Sequence, residues 1–138
     1  RRLRVAVLDP ALVAAQPLLK LVHRAVGGLV GRNNGTISNA YATGEVMGID
    51  GIGGLMGSNE RGVVSNVYAT GTVTGRDYVG GLAGHNSIGT ISNAYAIGVV
   101  TGEDYVGGLV GSNSFSATIS NAYATGTVLG VAASGATA

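Results

Sequence analysis

The 138 residues, 46% of them hydrophobic and with a mean hydropathy of +0.36, hold enough apolar material for one folded domain and so exclude a disordered chain. A net charge of +1 with only 11% charged residues excludes a strongly basic nucleic-acid surface, and the lack of cysteine excludes disulfide frameworks and thiolate metal sites. Twenty-five glycines beside a single Phe and no Trp leave few bulky side chains, so the expected core is thin and built from small β-branched residues.

Residues 1–25 are the basic part of the chain, with Arg1, Arg2, Arg4, Lys20 and Arg24 against Asp9 alone. Asp9, Pro10, Pro17 and Lys20 interrupt the apolar stretch well before the roughly 20 residues a membrane helix needs, and no membrane insertion is expected. Asp9 and Pro10 also cut short the apolar run that would otherwise read as a signal peptide. Asp9-Pro10 and Gln16-Pro17 each have the form of a helix start with Pro in the first turn, and Leu12, Leu18, Leu19, Leu21 and Val22 would then cover one end of the fold that follows. The flank is read either as a short helical N-terminal cap or as an unstructured extension.

From residue 26 the chain repeats itself. The pair Gly27-Gly28 returns as Gly53-Gly54, Gly80-Gly81 and Gly107-Gly108, at steps of 26, 27 and 27 residues. The copies run over 26–51, 52–78, 79–105 and 106–131, followed by a short tail. Within each copy, short apolar runs are punctuated by Gly and Asn without helical periodicity, which predicts three strands and three turns per copy. A unit so small cannot bury its own apolar face, whereas copies stacked at roughly 4.8 Å as parallel, in-register sheets can. The expected fold class is all-β, a parallel β-solenoid (β-helix) of four coils of ~27 residues.

Stacking converts sequence columns into ladders in space. Leu29, Leu55, Leu82 and Leu109 form one apolar column, Ile37, Val64, Ile91 and Ile119 a second, and Val46, Val73, Val100 and Val128 a third; these are the expected core. Asn39, Asn66, Asn93 and Asn121 recur in every copy as a corner device, because asparagine tolerates turn conformations and stacked amides can bond one another. Tyr41, Tyr68, Tyr95 and Tyr123 form an aromatic column. Ile37 and Val46 differ in strand parity, so a bend or bulge must lie between them, and the tyrosines are expected to stack over the outside of the sheet. Glycines at 44, 71, 98 and 126, and at 48, 75, 102 and 130, are expected to supply the positive φ angles of sharp corners.

Length varies on one side only. The spans from Gly27 to Asn39, Gly53 to Asn66, Gly80 to Asn93 and Gly107 to Asn121 are 12, 13, 13 and 14 residues, so a variable loop lies over 32–35, 58–62, 85–89 and 112–117. Length changes in a solenoid collect on one face, often the binding face. Arg32, Asn33, Glu60, Arg61, His85, Ser87, Asn113 and Phe115 are the candidate contact residues.

Gly-Gly-Leu-Val-Gly at 27–31, Thr36-Ile37-Ser38-Asn39, Tyr41-Ala42-Thr43-Gly44 and Val46, carried in the same order from Val26 to about Gly130, resemble the GLUG repeat family. Departures are small: Ile97 replaces the Thr of copy three, and Val63 replaces the Thr before Val64. The resemblance implies a β-rich segment of a secreted or cell-surface bacterial protein, of the kind found in filamentous-haemagglutinin-like adhesins and in the non-catalytic parts of immunoglobulin A peptidases.

Chemistry is sparse. His23 and His85 are the only histidines and Ser38, Ser65, Ser92 and Ser120 recur as an architectural column, so no catalytic residue is assigned. No Gly-Lys-Ser/Thr follows a glycine run, which argues against a phosphate loop. Asp50, Asp77 and Asp104 would stack into a carboxylate ladder that either splays into water or shares a hard cation such as calcium. The nonapeptide of calcium-binding β-rolls is lacking, so solvation is the expectation and no cofactor is assigned. Thr43, Thr70 and Thr125 begin a threonine column that Ile97 breaks, leaving no flat ice-binding face.

The function expected is a structural or adhesive segment whose loops meet a protein or glycan on a host or neighbouring cell, with end-to-end self-association open to its exposed coils. The alternative is a spacer in a secreted peptidase.

Overall fold

Segments such as Thr-Ile-Ser-Asn-Ala-Tyr-Ala have one apolar face and no partner within their own copy, so burial must come from the copy above and the copy below. The computed structural model describes residues 4–5, 19–20 and 24–131 and has that arrangement throughout. The flank supplies β1 (Arg4–Val5) and β2 (Leu19–Lys20). Coil one holds β3 (Arg24–Gly27), β4 (Val30–Asn33), β5 (Thr36–Ala42) and β6 (Val46–Met47). Coil two holds β7 (Asp50–Gly53), β8 (Met56–Glu60), β9 (Val63–Ala69) and β10 (Val73–Thr74). Coil three holds β11 (Asp77–Gly80), β12 (Ala83–Ser87), β13 (Thr90–Ala96) and β14 (Val100–Gly102), and coil four β15 (Asp104–Gly107), β16 (Val110–Ser114), β17 (Thr118–Ala124) and β18 (Val128–Gly130).

Equivalent strands pair in parallel into four sheets, ordered β1-β5-β9-β13-β17, β18-β14-β10-β6-β2, β15-β11-β7-β3 and β16-β12-β8-β4. Register follows the repeat: Ile37 lies against Val64, Val64 against Ile91 and Ile91 against Ile119. In the leucine column the Leu29, Leu55 and Leu82 amides donate to the carbonyls of Leu55, Leu82 and Leu109 at 2.9, 2.9 and 2.8 Å. The protein is a parallel β-solenoid of four coils.

Each coil has four strands, one more than the sequence pattern predicts. The arc after the tyrosine divides at Gly48 and Gly75 and just after Gly102, where the chain turns over the core so closely that a Cβ on Gly75 would lie 2.9 Å from Val79 Cγ2. The short strands at Val46–Met47, Val73–Thr74 and Val100–Gly102 are thus separate from the strands that begin at Asp50, Asp77 and Asp104.

The core has two parts. One lies around the Ile37 and Leu55 columns and adds Ala40, Ala42 and Met56 with their counterparts; the other gathers Val26, Ile52 and Val79 with Val46, Val73 and Val100. Val128, grouped with that third column by sequence, is 42% exposed because it belongs to the last described coil.

The parity break between Ile37 and Val46 is located at Asn39. Asn39, Asn66, Asn93 and Asn121 take left-handed φ values of 53, 55, 51 and 50°, a conformation asparagine tolerates better than most residues. The inserted residue turns the strand over, so Ile37, Ala40 and Ala42 face inward while Ser38 and Tyr41 face outward.

One expectation is corrected. The glycines at 71, 98 and 126 are not in the left-handed region: Gly51, at φ 67°, is the one glycine there among the described residues. Their requirement is close approach, since a Cβ on Gly98 would run into the carbonyl oxygen of Gly71. The N-terminal helical cap, placed on Asp9-Pro10 and Gln16-Pro17, lies outside the described residues; β1 and β2 extend the β5 and β6 sheets by one strand each.

Candidate functional site

The variable loops project from one edge, and each closes on an asparagine amide, buried in the first three coils. Asn33, Asn59 and Asn86 are fully buried, and their Nδ2 groups donate to the Oδ1 of Asn59, Asn86 and Asn113 at 2.8, 2.9 and 2.7 Å. The same amides also donate across the base of their own loops, to the carbonyls of Gly35, Gly62 and Gly89, and Asn113 donates to that of Ala117. A loop of any of these lengths is pinned at two fixed points while its tip is free to change. Every buried side-chain polar atom among the described residues has a partner.

The amide ladder is therefore built by this column and not by Asn39, Asn66, Asn93 and Asn121, whose role is the left-handed bulge. Asn33, taken from the sequence as a contact residue, is withdrawn into the ladder; Asn113 is its exposed end. Gly62 and Gly89 follow from the same packing, because a Cβ on Gly62 would collide with Asn59 Oδ1.

The loop tips stack as well. Arg61 and Ile88 donate their amides to the carbonyls of Ser87 and Ser114, which sets Arg61, Ile88 and Phe115 in one column, at φ 62, 59 and 55°. Ile88 is 49% and Phe115 73% exposed, so the edge presents a cation, an aliphatic group and an aromatic ring in succession. Ile88 was missed in the sequence; its place two residues after Asn86, matching Arg61 after Asn59, was the available signal.

The remaining contact candidates lie on the strand beside the loops. Arg32 pairs with Glu60 at 3.5 Å, and Ser58 Oγ donates to Glu60 at 3.3 Å. His85 stands edge-on to Tyr78, with ring centroids 5.5 Å apart, and its Nε2 lies 3.4 Å from Ser114 Oγ. Ser87 is half-buried.

Asp50, Asp77 and Asp104 are in register as a ladder. Arg76 spans the first two, 3.3 Å from Asp50 and 3.2 Å from Asp77, and its guanidinium is held more firmly protonated than usual by the Asp77 hydrogen bond and then by the charge of Asp50. The repulsion expected between these carboxylates is thus offset by an arginine one residue before Asp77. Among the described residues no group of three or more His, Asp or Glu side chains is placed to hold a metal ion.

Tyr41, Tyr68, Tyr95 and Tyr123 stack over the outer face, with centroids 4.9, 4.9 and 5.2 Å apart and planes within 6° of parallel. A second, shorter stack was missed: Tyr78 and Tyr105 lie 4.6 Å apart with planes 1° from parallel, beside the aspartate ladder. A groove of about 380 Å³ opens next to Tyr78.

A family model, described as the GLUG motif, matches residues 23–47, 50–74, 75–101 and 102–129. No curated protein and no solved structure matches. The matched segments start a few residues ahead of the copies cut at the glycine pairs, close to the strands β3, β7, β11 and β15 that open each coil.

Proposed function

The chain belongs to the GLUG-motif family, and from that premise we propose that it is a structural and adhesive segment of a secreted or cell-surface bacterial protein, with no catalytic role and no cofactor. The coils supply length and stiffness, and the loop edge supplies contact with a protein or glycan on a host or neighbouring cell. The amide ladder carries this reading: it anchors loops of different lengths on one edge without disturbing sheet register, which separates scaffold from contact surface. Side-by-side display of several weak contacts on one rod gives avidity without any single strong site.

The test is adhesion of beads coated with the whole chain to an epithelial monolayer, against a variant whose 114–117 and 87–89 loops are replaced by the short Asn34-Gly35 form of coil one. Adhesion should fall at least severalfold while the melting temperature holds. Adhesion that survives both replacements would remove the loops from the reading. A wild-type chain that does not adhere would leave the spacer role of a secreted peptidase as the better account.

A further inference from the structure

The residue after the aspartate position of each coil is Ala25, Gly51, Tyr78 or Tyr105, and all four lie in the left-handed region at φ 57, 67, 55 and 54°. The residues on either side are in register through all four coils. These four positions therefore form one column, in which coils three and four carry a ring and coils one and two do not. Tyr105 covers one face of Tyr78. The other face looks along the column over Gly51 and Ala25, and the groove of about 380 Å³ is the space that further tyrosine rings would fill.

Its volume is at the lower end of the roughly 300–1,000 Å³ of small-molecule sites. Polar groups punctuate a lining that is otherwise largely apolar: Asp50 and Asp77 of β7 and β11, Ser58 and Glu60 of β8, and Arg32 of β4. His85, set at 87° to Tyr78, fixes the ring from its edge.

We propose that this groove binds a neutral hexopyranose, seated on the open face of Tyr78 where the next tyrosine of the column would stand. A pyranose has an apolar C–H face that packs on an aromatic ring and a rim of hydroxyls that donate to carboxylates, which matches a floor of Tyr78 and walls of Asp50, Asp77 and Glu60. An aromatic side chain would cover Tyr78 equally well but would take those carboxylates further out of water while adding no donor to the ones Arg76, Arg32 and Ser58 supply. Arg76 and Arg32 leave one net negative charge among Asp50, Asp77 and Glu60, and a uronic or sialic acid would add to it. The inference rests on the reading of this array as a contact-making segment and names a ligand class for it, on strand faces beside the loop tips.

Saturation-transfer NMR on the whole chain, with methyl β-glucoside, methyl β-galactoside and methyl β-N-acetylglucosaminide as probes and glucuronate as the control, tests it. At least one neutral glycoside should receive saturation at the C–H protons of one ring face, and glucuronate should not. Gly51→Tyr, which places a ring in the groove on a backbone that Tyr78 and Tyr105 already adopt, should remove binding while the chain stays folded, with a small fall in melting temperature from its Cβ 3.2 Å from the Ala25 amide nitrogen; Tyr78→Ala should weaken it roughly tenfold. No binding by any neutral glycoside, equal binding by glucuronate, or unchanged binding in Gly51→Tyr each overturns the proposal. If sugar binding is absent while bead adhesion persists, the groove proposal falls alone and the adhesive reading stands.

Discussion

The heptapeptide Thr-Ile-Ser-Asn-Ala-Tyr-Ala occurs in both β13 and β17, and the two strands live in different environments. In β13, Ile91 is fully buried and Ala94 and Ala96 nearly so; in β17, Ile119 and Ala122 are half-covered and Ala124 is exposed. Their sequences are the same and their conformations match, down to the left-handed φ of 51 and 50° at Asn93 and Asn121. The difference is one neighbour: β13 is bonded to β9 and β17, while β17 is bonded to β13 on one side among the described strands. Burial in this fold is thus a property of position in the stack, and equal residues in successive copies have unequal energetic weight.

The largest test of that contrast is a cavity. Ile91→Ala should cost about 3 kcal/mol, by lost transfer and by the hole left between Val64 and Ile119, whereas Ile119→Ala should cost about 1 kcal/mol. Urea midpoints of the two variants measure it, and equal losses would break the comparison. A smaller effect is expected in the amide ladder. Asn86→Ala takes from the buried Asn59 Nδ2 one of its two acceptors, leaving the Gly62 carbonyl, and should cost about 2 kcal/mol, against about 0.5 kcal/mol for Asn113→Ala at the exposed end. Loops of coil three in Asn86→Ala should also lose protection from amide exchange, which a uniform destabilisation would not single out.

The stacked register was legible because four copies repeat the same columns, and a one-residue slip would turn Ile37, Val64, Ile91 and Ile119 outward together. What escaped the sequence has a common cause. Asn33 and Asn39 both recur in every copy, and composition cannot tell a buried amide from an exposed bulge until the turn at Asn39 reverses strand parity. The loop lengths held the missing clue, since the variable residues begin directly after the Asn33 column and mark it as the last fixed point. The glycines misled for a related reason: both a left-handed turn and a close backbone approach select glycine. The fold gives the left-handed work largely to Asn93, Tyr78 and their counterparts, and uses Gly98 for contact. The groove beside Tyr78 was unreadable because it arises from what Gly51 and Ala25 lack, and a missing ring has significance only once coils are aligned.

The smallest expected effect separates the tyrosines. Tyr95 lies between Tyr68 and Tyr123, each ring within 5.2 Å of its neighbour, and its pKa is raised by desolvation, with smaller contributions from Tyr68 and Tyr123. A raised folded value means that the native state holds this proton more tightly than the unfolded chain, whose value is about 10. The stabilisation is fully present below that pH and is lost as pH rises through the raised value, so the urea midpoint should fall there. Ultraviolet titration should resolve a late tyrosinate component that is missing in Tyr95→Phe. Tyr123→Ala, which uncovers one face of Tyr95, should move that component towards the ordinary value. If the late component stays where it was, the cover given by coil four is not what desolvates Tyr95, and the difference between inner and outer coils would have to be sought in backbone pairing alone.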